Sequence, residues 1–183
     1  NVDYSPTSFW YARPGASSNV EPDPEGAKRP VTLRREQIVD IPHVEGAIEG
    51  EKLNVAEKTG GETQIQHLPK FDWSMERQLW WIRGEAGDRL VVEFPAEKAG
   101  PHKVTAGLVK APDYAIVKLS INGEPAGTHD LYHTEVANAP TELGTFDLKE
   151  GTNKLSMEIT GLNPKSKKLH GVGLDYLLLE PAE

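Results

Sequence analysis

The sequence predicts an all-β domain, an antiparallel β-sandwich or jelly roll with an extended N-terminal arm. Three observations predict it. From Ala47 onward the apolar residues recur with a period of two, which is the signature of half-buried strands. Gly and Pro number 17 and 14 among 183 residues, a heavy load of turn formers for a helical bundle. No helical period runs longer than two turns.

Taken in order, residues 1–44 read as an arm. Ser8-Phe9-Trp10-Tyr11-Ala12 suits one strand, and residues 13–30 hold four prolines and two glycines without an apolar period. Residues 31–39 suit a turn or two of helix, closed by Pro42. A boundary near residue 44 leaves residues 45–183 for the sandwich. Within it Leu90, Val92 and Phe94 share one strand face, as do Val104, Ala106 and Leu108. The clearest strand is 115–121, where Val117, Leu119 and Ile121 oppose Lys118 and Ser120. Asn122-Gly123 follows directly and predicts a type I′ hairpin, because both central residues of that turn need positive φ. The turn Glu150-Gly151-Thr152-Asn153 precedes a strand from Leu155 to Ile159, and Val172 to Leu179 closes the chain. Eight to ten strands result. With no internal repeat, solenoid and propeller architectures are set aside.

Composition narrows the function. The formal charge of −8 comes with scattered Lys and Arg, which argues against nucleic acid, since phosphate binding needs a concentrated positive footprint. No run approaches the roughly 20 apolar residues of a membrane-spanning helix. With no cysteine there is no disulfide framework, thiolate metal site or Cys nucleophile. The start at Asn1 reads most simply as a processed product or a piece of a longer polypeptide. No Gly-x-Ser-x-Gly, His-Glu-x-x-His or Walker loop occurs, so no catalytic residue is assigned. The histidines sit singly apart from His129 and His133, and a polar loop explains that pair better than a metal site does.

Six strings, in order, resemble carbohydrate-binding modules of families 6 and 35, which are galactose-binding-like jelly rolls. They are Ile48-Glu49-Gly50-Glu51, Gly87-Asp88-Arg89-Leu90, Ala99-Gly100-Pro101-His102-Lys103-Val104, Ile121-Asn122-Gly123-Glu124, the run from Leu148 to Leu155, and Gly173-Leu174-Asp175-Tyr176. The arm, through Asp3-Tyr4-Ser5-Pro6-Thr7-Ser8-Phe9-Trp10-Tyr11, is similar to the end of the glycoside hydrolase family 172 core. Together these imply a non-catalytic, secreted or periplasmic accessory module of a glycoside hydrolase, with glycan and an upstream catalytic domain as partners. Any catalytic carboxylates would then lie before Asn1. The competing reading is a structural or oligomerisation module that packs on the enzyme core without binding glycan.

The resemblance also implies a structural Ca²⁺ tying first strand to last, through acids placed like Glu49, Glu51 and Asp175. Alternation would put Glu49 and Glu51 on one side of their strand. For the glycan, exposed rings beside carboxylates are the expected chemistry, since a sugar has an apolar face and a rim of hydroxyls. Trp73, Trp80 and Trp81 supply rings. Trp80 and Trp81 are adjacent, so one should enter the core and the other leave it; the choice between them stays open. Trp73 sits in a loop-like stretch after Pro69, as a ligand contact or as a plug over the sandwich end. Asp113-Tyr114 and Asp130 with Tyr132 add two acid-and-ring loops, although turn chemistry accounts equally for Asp113.

Overall fold

The computed structural model describes residues 40–182 and the turn at Pro14 and Gly15. The chain divides between Asp40 and Ile41 into two units. The strand expected at residues 8–12, the Pro-rich stretch and the helical turn at 31–39 lie outside the described residues.

The second unit is an all-β sandwich of eleven strands. In chain order these are β1 (Ile48–Glu49), β2 (Asn54–Lys58), β3 (Glu62–His67), β4 (Arg77–Ile82), β5 (Arg89–Ala96), β6 (Gly100–Lys110), β7 (Ala115–Ile121), β8 (Glu124–Asp130), β9 (Ala137–Leu148), β10 (Gly151–Leu162) and β11 (Val172–Pro181). One sheet runs β3-β4-β11-β6-β9, with β1 added alongside β11; the other runs β2-β5-β10-β7-β8. Every strand pairing is antiparallel. Such sheets bury one face and wet the other, which is why the strands read as alternating.

Alternation positions the core as expected. Val117, Leu119 and Ile121 on β7 are buried and meet Leu90, Val92 and Phe94 of β5 and Leu155, Met157 and Ile159 of β10 in one cluster. The hairpin between β7 and β8 turns at Asn122 and Gly123, with φ of 51° and 90°. The Asn122 side chain also locks that turn to β10, accepting from the Lys154 N–H at 2.9 Å and donating to Asn153 Oδ1 at 2.8 Å. Pro140 sits in β9, where an edge strand spares a residue without an N–H.

One local expectation is corrected. β1 ends at Glu49, and Glu51 lies in a 3₁₀ turn, Gly50–Lys52, so Glu49 and Glu51 do not alternate along one strand. Gly50 passes so close to β11 that a Cβ there would lie 2.1 Å from the Leu174 carbonyl oxygen. Only glycine lets the first strand come so close to the last.

Candidate functional site

Two features lie on either side of a single short turn. The first is a buried carboxylate cluster. β1 runs beside β11 with Glu49 opposite Tyr176, the 3₁₀ turn brings Glu51 alongside, and β11 supplies Asp175. Glu49 and Asp175 are only 7% and 3% exposed. Ser74 bridges the two, its hydroxyl donating to Glu49 Oε1 at 2.9 Å and its N–H to Asp175 Oδ2 at 3.1 Å. Of the other four oxygens, three, Glu49 Oε2, Glu51 Oε2 and Asp175 Oδ1, are buried without a hydrogen-bond partner. Buried acceptors in native proteins are normally satisfied, so three orphaned carboxylate oxygens in one neighbourhood call for a cation or for protons.

The electrostatics agree. Burial pushes the Asp175 carboxyl up to about 7, with the charges of Glu49 and Glu51 adding and the Ser74 N–H opposing. Glu49 is raised as well, by burial first, against the Ser74 hydroxyl and with help from Glu51. The folded state therefore holds a proton on Asp175 that the unfolded chain releases near 3.8. That stabilisation is complete below the unfolded value and is lost as pH rises through about 7. In chelator, the thermal midpoint at pH 5.5 is expected to exceed that at pH 8 by about 3 °C or more for a domain of this size. A midpoint that fell on acidification over that range would contradict the cluster.

The second feature is a groove. After Ser74 the chain passes through Met75 and Glu76 at φ of 52° and 58°, a left-handed pair rare for residues with a Cβ. The turn is held by Met75 N–H to the Pro42 carbonyl at 2.8 Å and Glu76 N–H to the Trp73 carbonyl at 3.0 Å. Before Ser74, the 68–73 loop meets the start of β9, where the Asn138 amide donates to the Asp72 carbonyl. Lys70, Phe71, Asp72, Trp73, Val136, Ala137 and Asn138 enclose a groove of about 320 Å³. The Phe71 and Trp73 rings are 5.0 Å apart and inclined by 31°, and Lys70 Nζ stands 4.8 Å from the Phe71 ring centre. The Trp73 Nε1–H is buried with no acceptor.

The other residues singled out from the sequence are placed as follows. Trp81 is wholly buried, donating to the Gly60 carbonyl at 2.9 Å, and presents no face to a ligand. Trp80, on the opposite side of β4, is half-buried, so the open choice between these rings resolves with Trp81 inside. Trp73, open between ligand contact and plug, is 1% exposed and sits as a plug, with its neighbour Phe71 the more accessible ring. Tyr114 is buried, its ring against Gly171 and its hydroxyl accepting from Gln78 Nε2 at 3.1 Å. Burial raises that hydroxyl well above the usual tyrosine range. Asp113 and Tyr132 are half-buried and Asp130 is exposed. The Asp130 carboxylate accepts from the Tyr132 N–H at 2.9 Å and Asn163 Nδ2 at 2.6 Å. His129, at the end of β8, and His133, in the loop after it, turn to the Ala126 and Glu135 carbonyls. Sequence reasoning missed Ser74, Phe71 and Asn138. Phe71 was legible as the ring two residues before Trp73, whereas Ser74 and Asn138 meet partners 101 and 66 residues away.

No protein-family model and no curated protein matches the chain. Among solved structures it is similar to a Paenibacillus xanthan lyase, with TM-score 0.67 and 19% identity, covering 79% of this chain and 14% of the lyase. It is also similar to a family 35 carbohydrate binding module from Clostridium thermocellum, with TM-score 0.50 and 15% identity, covering 75% of this chain and 100% of the module. The chain thus spans a small part of the lyase and a whole small module. No helix among the described residues is long and apolar enough to cross a membrane. At these identities the likeness establishes a shared antiparallel sandwich fold, the fold that the family 35 module also has.

Proposed function

We propose that the sandwich is a non-catalytic carbohydrate-binding module of a larger secreted or periplasmic carbohydrate-active enzyme, taking glycan in the groove between the 68–73 loop and β9. The observation that carries this reading is the groove's lining: the half-buried Phe71 ring, backed by buried Trp73, beside a carboxylate, an amide and an ammonium group. Phe71 offers an apolar face, backed by the buried Trp73 ring, and Asp72 and Asn138 offer partners for hydroxyls. Charge-assisted bonds of this kind fix orientation while the ring supplies contact area. The sandwich it shares with a carbohydrate binding module supports the same reading. Asp130 and Tyr132 form a second loop on the same scaffold.

We further propose that Glu49, Glu51 and Asp175 hold a structural Ca²⁺. The fit rests on their three unpartnered buried oxygens. Among the described residues no three His, Cys, Asp or Glu side chains form a ready-made metal cage. Calcium, however, takes six to eight oxygens and draws many of them from backbone carbonyls and water, so a carboxylate-only cage is not required. The ion would neutralise the cluster and tie β1 to β11.

Glycan-array screening of the chain in Ca²⁺ tests the ligand, followed by titration of Phe71→Ala against the best glycan. Losing one ring of this size should weaken binding about tenfold or more, with the fold intact because Phe71 is only half-buried. An unmutated chain that bound no glycan at millimolar concentration would leave the structural-module reading in its place. One observation favours that alternative: Ile65, 56% exposed on β3, offers an apolar contact beside a strand edge that is unpaired among the described residues.

A further inference from the structure

We propose that Ser74 is a positioning residue that couples the cation site to the groove, so that divalent-cation binding orders the 68–76 loop and its Trp73 wall. The inference rests on the calcium and groove readings above and adds a link between them. Ser74 is the residue immediately after Trp73, and it is buried. It contacts the cluster twice, through its hydroxyl to Glu49 and its N–H to Asp175. Each of those carboxylates uses one oxygen on Ser74 and leaves the other without a partner. A cation can therefore be held by the free oxygens while Ser74 stays on the occupied ones.

The division matters because of charge. Without a cation, three acids crowd together, and the arrangement that seats Ser74 is opposed by their mutual repulsion. A bound cation removes that opposition and holds Glu49 and Asp175 by their free oxygens, with the other oxygens in place for the Ser74 O–H and N–H. The turn that follows needs such anchoring, since Met75 and Glu76 both hold positive φ, a conformation that persists only when its surroundings enforce it. The same turn closes the loop on itself, with the Leu68 N–H donating to the Glu76 carbonyl at 3.1 Å and the Phe71 N–H to the Leu68 carbonyl at 3.2 Å. Pinning Ser74 therefore pins the loop bearing Lys70, Phe71 and Asp72. By linkage, a ligand that orders the groove raises cation affinity by the same factor.

The test is amide hydrogen exchange on the whole chain, in chelator and in CaCl₂ alone, with calorimetric Ca²⁺ titration of each variant in parallel. In the unmutated chain Ca²⁺ should slow exchange of the 68–76 amides about tenfold or more. Ser74→Ala, which keeps the N–H bond to Asp175 but loses the hydroxyl bond to Glu49, should still bind Ca²⁺ and still show slowed exchange in 48–53 and 172–177, yet show a clearly smaller change in 68–76. Ser74→Thr, which keeps the hydroxyl, should restore the effect, and Glu51→Gln, whose side chain does not touch Ser74, should lose cation binding and loop protection together. Bound Ca²⁺ with no change in 68–76, or equal loop protection in Ser74→Ala, overturns the coupling while leaving the cation site standing. An unmutated chain that takes up no Ca²⁺ overturns both. Because no glycan is used, failure of the glycan reading shows separately, in the array.

Discussion

Chelator-treated protein brought to about 2 mM Ca²⁺ at neutral pH is expected to unfold at a midpoint about 5–10 °C higher than in chelator. A ligand bound only by the folded state stabilises it by about 2.7 kcal/mol at a hundredfold excess over its dissociation constant. In a domain of this size each kcal/mol moves the midpoint by about 2–4 °C. The effect is large because the metal-free cluster is itself unfavourable, with buried Glu49 and Asp175 both carrying an orphaned oxygen. Asp175→Asn separates the terms. It removes one charge while leaving an oxygen to accept the Ser74 N–H, so its midpoint in chelator should equal or exceed that of the unmutated chain. Its response to Ca²⁺ should disappear. A midpoint indifferent to both chelator and calcium in the unmutated chain, measured by calorimetry, removes the cation from the site.

Trp81→Ala is expected to destabilise the domain by about 3–5 kcal/mol, the usual range for deleting a buried aromatic. The indole is wholly buried, and its N–H bonds the Gly60 carbonyl. A Cβ placed on Gly61 would stand 2.6 Å from that nitrogen, so the turn between β2 and β3 is fitted around the ring. Removing the ring leaves both a cavity and an unsatisfied carbonyl. Trp80→Ala removes a half-buried ring from the opposite side of the same strand and should cost under about 2 kcal/mol. Urea denaturation of the pair reads the contrast directly. Equal losses would mean that the alternation along β4 does not sort these rings as described.

Much of the fold was legible because it is written locally. Val117, Leu119 and Ile121 face inward and Lys118 outward through the pleat of a single strand, and Asn122-Gly123 turns where positive φ is cheap. The site was legible in part. The acids of the carboxylate cluster came from a family resemblance and not from spacing, and the local argument for Glu49 and Glu51 failed, since the strand stops at Glu49 and Glu51 lies in a 3₁₀ turn. Trp73 was singled out from the sequence, but the accessible ring of the groove is Phe71.

What the sequence alone determined, then, is the sandwich, its turns, and the rule that one of Trp80 and Trp81 faces inward. Only the tertiary structure decided which one, buried Trp73, and joined Ser74 to Asp175 across 101 residues. The physical reason is range. Side-chain alternation and turn propensity act over a few residues, whereas burial and charge clustering are set by whichever distant segments the sheets bring into contact.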